Sequence, residues 1–406
     1  MDFNDSPEEA AYRQAAREWL EANAPREPIR NGASESADGL ARAREWQAKK
    51  AAAGYAQITW PKEWGGAGGT PIQSVIFAQE EAKYGLQVGY FSIGLGMCLP
   101  TVMAFADEPT KARFVGPALK GEEIWCQLFS EPSGGSDLAA VRTRAIRDGD
   151  DWVVNGQKIW TSGAHYSDYA ILITRTNMDA PKHKGMTMFW IDMKSPGVEV
   201  RPIHQMSGGS GFNEVFFTDV RIPDSQRLGP VDEGWKVSLV TLMNERNSVV
   251  AQYGVAWPEL IALARQVPGI NTPTALADSA VREKIADWYV QTEGLKHTRS
   301  RTVTALSKGQ TPGPESAITK VVVANQLQAL TSEALEMLDQ YGIITDPALA
   351  PAEGAIHASY LSSAGLRIAG GSDEILRNII AERVLGLPGD IRLDKDVPFK
   401  EMPTGR

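Results

Sequence analysis

Hydrophobic and polar positions change their spacing twice along this chain of 406 residues, and each change marks a candidate domain boundary. From Ser6 to about Lys120 the apolar positions follow the period of amphipathic helices, interrupted by a loop at residues 60–66. Ser6, Pro7 and Glu9 form a helix-start signal that combines a capping serine, a first-turn proline and a reciprocal carboxylate. The first third of the chain is therefore predicted to be helical.

The middle third has the alternating pattern of β-strands. Between about Ile124 and Ile222 the period shortens to two, and Asp148-Gly149 and Asn155-Gly156 are dipeptides typical of hairpin turns. The strand-like runs are residues 150–154, 169–174, 185–192, 197–203 and 214–222. Several short strands with no helix between them predict a small antiparallel barrel or sandwich.

The helical period returns after Gly234 in long segments. These segments are residues 235–265, 278–308, 314–341, 352–366 and 372–386. Long helices with short connections predict a bundle, and the polar, proline-containing segment after Leu387 is expected to form a tail. The sequence thus predicts an α+β multidomain protein with a helical domain at 1–122, a β domain at 123–231, a helical bundle at 232–388 and a tail at 389–406.

Composition narrows the classes of function. Forty-one Lys and Arg residues against 50 Asp and Glu residues give a net charge of −9, and without a basic run this argues against nucleic acid or an anionic membrane as the main ligand. Two cysteines, Cys98 and Cys126, exclude a disulfide scaffold, and the five histidines lack the spacing of a zinc site. No signal peptide and no apolar run of membrane-spanning length is recognisable. We therefore expect a cytoplasmic protein without a metal site or membrane insertion.

The common phosphate-binding loops are also missing from the sequence. No GxGxxG motif joins a strand to a helix, and no GxxxxGK[ST] motif occurs. The glycine-rich stretch at residues 65–70 lacks the lysine of such loops and is expected to be a flexible connection. Any nucleotide cofactor would be held in another way.

Two segments thirty residues apart carry the most informative motifs. Residues 125–137 read WCQLFSEPSGGSD and residues 155–163 read NGQKIWTSG. They resemble the "TEPxAGSD" and "NGxKxWITN" segments of flavin-dependent acyl-CoA dehydrogenases. Further similar segments are WPKEWGG from Trp60, FNEVFFTDVRIP from Phe212 and IAGGSDEILRNIIAERVLGLP from Ile368. The resemblance covers essentially the whole chain in order, and it implies the acyl-CoA dehydrogenase fold and a flavoprotein oxidoreductase of lipid β-oxidation.

The resemblance also implies where FAD binds. The matching positions are Gln127, Phe129, Ser130, Gly135, Ser136, Trp160, Thr161, Ser162, Ser372 and Glu374. Trp160 matches the family's residue that stacks on the flavin, and Thr161 and Ser162 match the contacts to flavin N5. Gly135 and Ser136 match the loop that meets both the flavin and the pantetheine of coenzyme A, where a missing β-carbon allows close approach.

The catalytic base departs from the most familiar family pattern. Gly370 stands where many members carry the glutamate that removes a proton. A second base position is known on the first long helix of the C-terminal bundle, as in isovaleryl-CoA and long-chain acyl-CoA dehydrogenases, and Glu245 matches it. Leu242 and Val249 share the helix face of Glu245, and an apolar face would raise the pKa of the carboxyl. Arg246 is expected to line the substrate cavity.

The implied reaction converts an acyl-CoA into a trans-2-enoyl-CoA. Glu245 would remove the α-proton while the β-hydride passes to flavin N5, and the backbone N–H of Gly370 would polarise the thioester carbonyl. Electrons would then pass to an electron-transfer flavoprotein. Two other hypotheses about the function remain. One is an oxygen-using flavoenzyme on the same fold, either a monooxygenase or an acyl-CoA oxidase, and the other is a subunit that completes another chain's active site.

The sequence indicates the acyl group of the substrate and the oligomeric state of the protein only in outline. Members with the base at this second position often take branched or bulky chains, and Gly85, Gly89, Gly94 and Gly96 would leave room for a wide group, a steroid side chain being one option. Close helix contacts explain these glycines equally well. The family's "RxxFG" segment and "GGxG" loop for the FAD pyrophosphate are not visible at residues 267–289 and 339–344. We therefore expect a heterotetramer with a related chain that supplies those contacts, or a homotetramer that uses other residues.

Overall fold

A computed structural model describes most of the chain. The described residues are 5–27, 37–86, 89–248, 255–310, 313–314, 316–389, 391 and 394–402. They form two compact units, of which the larger contains residues 5–248 and 391–402 and the smaller contains residues 255–389. Among the described residues, no helix is both long enough and apolar enough to span a membrane.

The larger unit begins with helices, as the sequence predicts. They are α1 (Pro7–Asn23), α2 (Ala37–Ala52), α3 (Pro71–Glu81), α4 (Leu99–Phe105) and α5 (Glu108–Leu119). The capping box at Ser6 is present, because its hydroxyl accepts from the Glu9 N–H and its own N–H donates to the Glu9 carboxylate. These helices share an apolar core, to which Leu20, Trp46 and Leu99 contribute buried side chains.

The middle of the chain forms one eight-stranded sheet. Its strands are β1 (Trp125–Leu128), β2 (Arg144–Asp148), β3 (Asp151–Ser162), β4 (Tyr169–Arg175), β5 (Met186–Asp192), β6 (Val198–Ile203), β7 (Phe212–Pro223) and β8 (Arg227–Leu228). The order is β6-β7-β3-β2-β4-β5-β8, with β1 beside β4. Most pairs are antiparallel, whereas β4 pairs in parallel with β1 and, at one position, with β2.

Helix α6 (Gly234–Ser248) belongs to the larger unit. The buried hydroxyls of Thr101 on α4 and Thr241 on α6 lie 2.8 Å apart and join the two helices. The π-helical turn Gly94–Cys98 precedes α4, and a β-carbon at Gly94 would lie 3.2 Å from the Trp125 β-carbon. Close packing against β1 therefore accounts for this glycine.

The smaller unit is helical. Its helices are α7 (Trp257–Ala264), α8 (Ser279–Ser307), α9 (Ser316–Leu338), α10 (Ala355–Leu366) and α11 (Asp373–Ile379), followed by the π-helical turn Ile380–Val384. Leu260, Trp288 and Leu330 belong to its apolar core. The predicted helix 235–265 corresponds to α6 and α7, and residues 249–254 between them lie outside the described residues.

The C-terminal segment, residues 394–402, lies against the sheet of the larger unit. Pro398 forms a β-bridge with Pro181, and the Phe399 side chain is buried. Phe399 thus adds a buried apolar contact in a stretch that also carries five charged residues.

Candidate active site

Trp160 is presented to solvent by an irregularity in the sheet. Between Lys158 and Thr161, β3 contains one more residue than the facing segment of β7, which is a β-bulge. Trp160 has φ +60°, a left-handed conformation that is strained for a bulky residue. Its side chain is 55% exposed and meets the ring of Phe212 edge-on at 6.0 Å between centroids. The bulge therefore leaves most of this indole open to a ligand.

The residues after Trp160 place polar atoms beside the indole. Thr161 is buried, and no partner among the described residues forms a hydrogen bond with its Oγ1. Its carbonyl accepts from the amide of buried Asn213 at 3.0 Å, and the Asn213 oxygen lies 3.1 Å from His165 Nδ1. Ser162, the next candidate residue, is half-buried. The strand is therefore fixed on its β7 side, while one buried hydroxyl has hydrogen-bonding capacity to spare.

The end of β1 lies next to the bulge. The carbonyl of Ser130 accepts from the Ile159 N–H at 2.9 Å, directly before Trp160 in β3. Gln127 and Ser130 are half-buried, and Phe129 is buried. The two motifs singled out from the sequence therefore meet through the backbone.

A buried ion pair fixes this junction. Lys158 Nζ lies 2.7 Å from a carboxylate oxygen of Glu131 and 3.1 Å from the Phe129 carbonyl. The Glu131 carboxylate also accepts from the backbone N–H groups of Arg142 and Thr143 at 2.6 and 2.9 Å. Burial alone would raise the pKa of Glu131, but Lys158 and these donors outweigh it and lower that pKa.

Burial also lowers the pKa of Lys158, against the raising effect of Glu131. Sequence reasoning singled out neither residue, although both lie inside the quoted motifs. No local pattern marks the pair, because Glu131 follows Ser130 and Lys158 follows Gln157, and the two charges meet only when the chain folds.

Gly135 and Ser136 lie in an exposed loop next to this junction. The backbones of Glu131 and Gly134 exchange two hydrogen bonds, of 2.9 and 3.0 Å, and so close a tight turn. A β-carbon at Gly135 would lie 4.0 Å from Ser130 Oγ. The larger unit thus groups the Gly135–Ser136 loop, the Ser130 strand end and the Trp160 bulge.

Glu245 lies on α6 of the same unit and is half-buried. Leu242, one turn earlier, packs against the apolar core, as the shared helix face predicts. Val249 and the side chain of Arg246 lie outside the described residues.

The remaining candidate residues lie in the smaller unit. Gly370 and Gly371 have φ values of +66° and +93°, conformations that glycine adopts without strain. The Gly371 carbonyl accepts from Lys320 Nζ at 2.7 Å. Ser372 caps α11 by accepting from the Ile375 N–H at 3.4 Å, and Glu374 is exposed on its first turn.

A second buried carboxylate holds this glycine turn. Asp373 is buried and accepts from Arg367 Nε at 2.8 Å and from Asn325 at 3.0 Å. Burial would raise the pKa of Asp373, but Arg367 and Asn325 outweigh it and the pKa is lowered. Asp373, Lys320 and Arg367 are not identifiable from the local sequence pattern, because their contacts join separate helices.

Comparison with known families accounts for nearly the whole chain. Residues 6–122, 126–220 and 232–385 match the N-terminal, middle and C-terminal domains of acyl-CoA dehydrogenase, respectively. The chain belongs to the acyl-CoA dehydrogenase family. The predicted fold, with helices, a middle β domain and C-terminal helices, is therefore confirmed, and so is the predicted class of enzyme, an acyl-CoA dehydrogenase oxidoreductase.

Individual relatives are also named acyl-CoA dehydrogenases. The acyl-CoA dehydrogenase IpdE1 of Mycobacterium tuberculosis is 34% identical over 394 residues, which cover 94% of this chain and 98% of that protein. FadE34 of the same organism is 34% identical over 331 residues, covering 81% of this chain but only 44% of FadE34.

Solved structures include the ChsE4-ChsE5 complex of Mycobacterium tuberculosis, at 26% identity and TM-score 0.77, and the Tcur3481-Tcur3483 steroid ACAD, at 26% identity and TM-score 0.78. In each, the alignment covers 96% of this chain and 100% of the other.

Proposed function

We propose that this chain binds FAD at the Trp160 bulge and dehydrogenates a bulky acyl-CoA thioester to its trans-2-enoyl-CoA. The observation that carries the proposal is the exposed indole of Trp160, held in a strained conformation beside the Ser130 strand end. Strained residues at bulges are common next to active sites. A large aromatic side chain left open on a polar rim fits a flat heteroaromatic ligand.

The residues around Trp160 fit the flavin of FAD. A flavin needs one stacking surface and hydrogen-bond donors along its polar edge. Trp160 offers the surface, and Thr161 offers a buried hydroxyl whose Oγ1 is unpaired among the described residues. Ser130, Ser162 and Gln127 would supply further polar atoms. When bound, FAD would accept a hydride at N5.

Glu245 would be the base. It is a half-buried carboxylate on α6, one turn from a leucine that packs on the core. In such a setting bound substrate would displace water from the carboxylate and strengthen it as a proton acceptor. Its role would be to remove the α-proton of the thioester.

Gly370 would contribute through its backbone. A backbone N–H donor does not depend on the side chain, so glycine can polarise a thioester carbonyl while lacking a basic group. The φ of +66° favours glycine here, and the bond from Lys320 to the Gly371 carbonyl fixes the neighbouring peptide. Ser372 and Glu374 would then meet polar parts of FAD, and Ser136 and Arg246 would contact the CoA ester.

A bulky acyl group is the substrate class we favour. The Tcur3481-Tcur3483 relative is described as a steroid ACAD, and the alternative base position leaves glycine at 370. Gly85, Gly89 and Gly96 would leave space along the helical wall. A panel of straight, branched and polycyclic CoA thioesters would identify the acyl group from the enoyl-CoA product.

We further propose a tetramer with a related partner chain and an electron-transfer flavoprotein as acceptor. One structural relative is itself a complex of two different chains, ChsE4 and ChsE5. In the stretch expected to reach the FAD pyrophosphate, Arg282 donates to the carbonyls of Leu276 and Ala277 on its own chain. A partner chain would then supply the pyrophosphate contacts.

The test of FAD binding is a comparison of three variants. Trp160→Ala should lose most of its FAD during gel filtration, whereas Trp160→Phe keeps a stacking ring and should retain more. Ile146→Ala is the matched control, since Ile146 lies on β2 of the same sheet and is also 55% exposed. The flavin absorbance per chain gives the readout. Protein that stays colourless after reconstitution with FAD and its partner would overturn the proposal.

A further inference from the structure

The C-terminal segment, residues 394–402, is attached by its backbone to the loop between β4 and β5 and by a side chain to β4. The N–H groups of Phe399 and Lys400 donate to the carbonyls of Ala180 and Met178 at 2.9 and 3.0 Å. Phe399 is 1% exposed, and its ring centroid lies 3.9 Å from the guanidinium carbon of Arg175. This distance is that of a close cation–π contact in the interior.

Arg175 in turn holds the loop that carries Gly135 and Ser136, which we call the glycine–serine loop (residues 134–141). Its guanidinium donates to the carbonyl of Ala139 at 2.6 Å, within that loop, and to the carbonyls of Lys182 and Lys184 at 3.0 and 2.9 Å. Burial lowers the pKa of Arg175 to about 10, so the group stays charged at neutral pH. The ring of Phe399 covers this buried cation.

A second connection runs through Lys182. Its ammonium lies 2.9 Å from a carboxylate oxygen of Asp137 in the glycine–serine loop and 2.6 Å from one of Asp394 in the C-terminal segment. Burial would lower the pKa of Lys182, but the two carboxylates outweigh it and raise that pKa. One buried ammonium therefore ties the loop to the segment.

We infer that residues 394–402 are a positioning element, which holds the glycine–serine loop in its binding conformation through Phe399–Arg175 and Asp394–Lys182–Asp137. The identity of the ligands rests on the proposed function, because FAD and the CoA ester are the groups assigned to this loop. A loop that is correctly placed for a smaller fraction of the time binds more weakly in proportion. The step after binding is unaffected, since none of these residues meets the reacting atoms in the proposed reaction.

Two variants and one matched control test this role. Phe399→Ala removes the ring over Arg175, and Asp394→Asn removes one charge beside Lys182. Lys400→Ala is the control, because Lys400 lies on the same segment but its side chain pairs with Asp179 at the surface. Hydrogen exchange of the amides in 134–141 and titration of apo-protein with FAD, followed by flavin fluorescence, give two independent readouts.

Both variants should speed exchange in the loop and leave β3 and β7 protected, and each should raise the Kd for FAD by about tenfold. KM for the acyl-CoA should rise while kcat stays within about twofold. Phe399→Tyr, which keeps the ring, should restore parental values, and Lys400→Ala should match the parent.

The inference would be overturned if both folded variants had the parent's hydrogen-exchange rate in the loop and the parent's Kd for FAD. It would also be overturned if hydrogen exchange became faster evenly over the whole sheet. Should Phe399→Ala fail to fold, Asp394→Asn decides alone, since its side chain is partly exposed. If the parent itself does not bind FAD, the proposed function fails, and the exchange data still decide whether the segment positions the loop.

Discussion

At the scale of single residues, the two proposed catalytic positions would divide the work between side chain and backbone. Glu245 can accept a proton, and Gly370 can only donate through its N–H. Adjacent Gly370 and Gly371 both have positive φ, and a glutamate at 370 would have to adopt a conformation that costs non-glycine residues roughly 1 kcal/mol or more. The local backbone conformation therefore favours a catalytic base that lies elsewhere in the chain.

Glu245→Gln should abolish most flavin reduction by substrate while fold and FAD content stay unchanged. The substitution is nearly isosteric and removes the proton acceptor, so we expect a loss of about 10²- to 10⁴-fold in the rate of reduction. Anaerobic stopped-flow absorbance of the flavin measures that rate.

Glu233→Gln is the control for this variant, because Glu233 is an exposed carboxylate just before α6. Turnover of Glu245→Gln near the parental rate would show that another group is the base. Adding Gly370→Glu in the Glu245→Gln background tests the alternative position directly, and a partial return of activity would support the two-position account.

At the scale of elements, the Lys158–Glu131 pair joins β3 to the end of β1. Glu131→Gln leaves a buried ammonium without its counter-charge, so we expect a loss of about 3–5 kcal/mol in the free energy of unfolding. The double variant Glu131→Gln with Lys158→Met should lose less than the sum of the two single variants. Glu199→Gln is the control, since Glu199 pairs with Arg201 at the same 2.7 Å but on the surface, and should change little.

The same pair predicts a pH dependence. The pKa of Glu131 is lower in the folded chain than its ordinary 4.5, so its contribution is complete above that value and is lost as pH falls through the folded pKa. Melting temperatures of parent and double variant, compared between pH 6 and pH 3, should converge on acidification. Parallel curves over that range would argue that Glu131 does not stabilise the fold through its charge.

Much of this architecture could be predicted from the sequence, and the limits have physical causes. The period of apolar positions indicated the helices and strands, because burial on one face follows the geometry of each element. It did not indicate that β1 pairs in parallel with β4, since pairing between distant segments depends on contacts that no local window contains. Trp160 came from a motif, whereas its bulge and left-handed conformation follow from pairing with β7.

At the scale of the whole molecule, the proposed partner chain determines how much FAD and activity this chain has when it is purified alone. We expect this chain, purified by itself, to bind less than one FAD per chain and to gain FAD and activity with its related partner. Arg282, the arginine of the stretch where pyrophosphate contacts are expected, already donates to its own chain. Light scattering with flavin absorbance gives mass and stoichiometry together. A stable homotetramer with one FAD per chain and full activity would exclude the obligate partner.

The exposure of Trp160 has an optical consequence. The structure describes all eleven tryptophans, and Trp160 is the exposed one, while the other ten are buried or half-buried. An indole in water emits at longer wavelength than an indole in an apolar core and collides freely with dissolved quenchers. The long-wavelength edge of the protein's intrinsic fluorescence therefore comes chiefly from Trp160, so the apo-protein carries its own reporter at the place where we assign the flavin. Iodide should quench that edge in the apo-protein, and a bound aromatic ring should shield it.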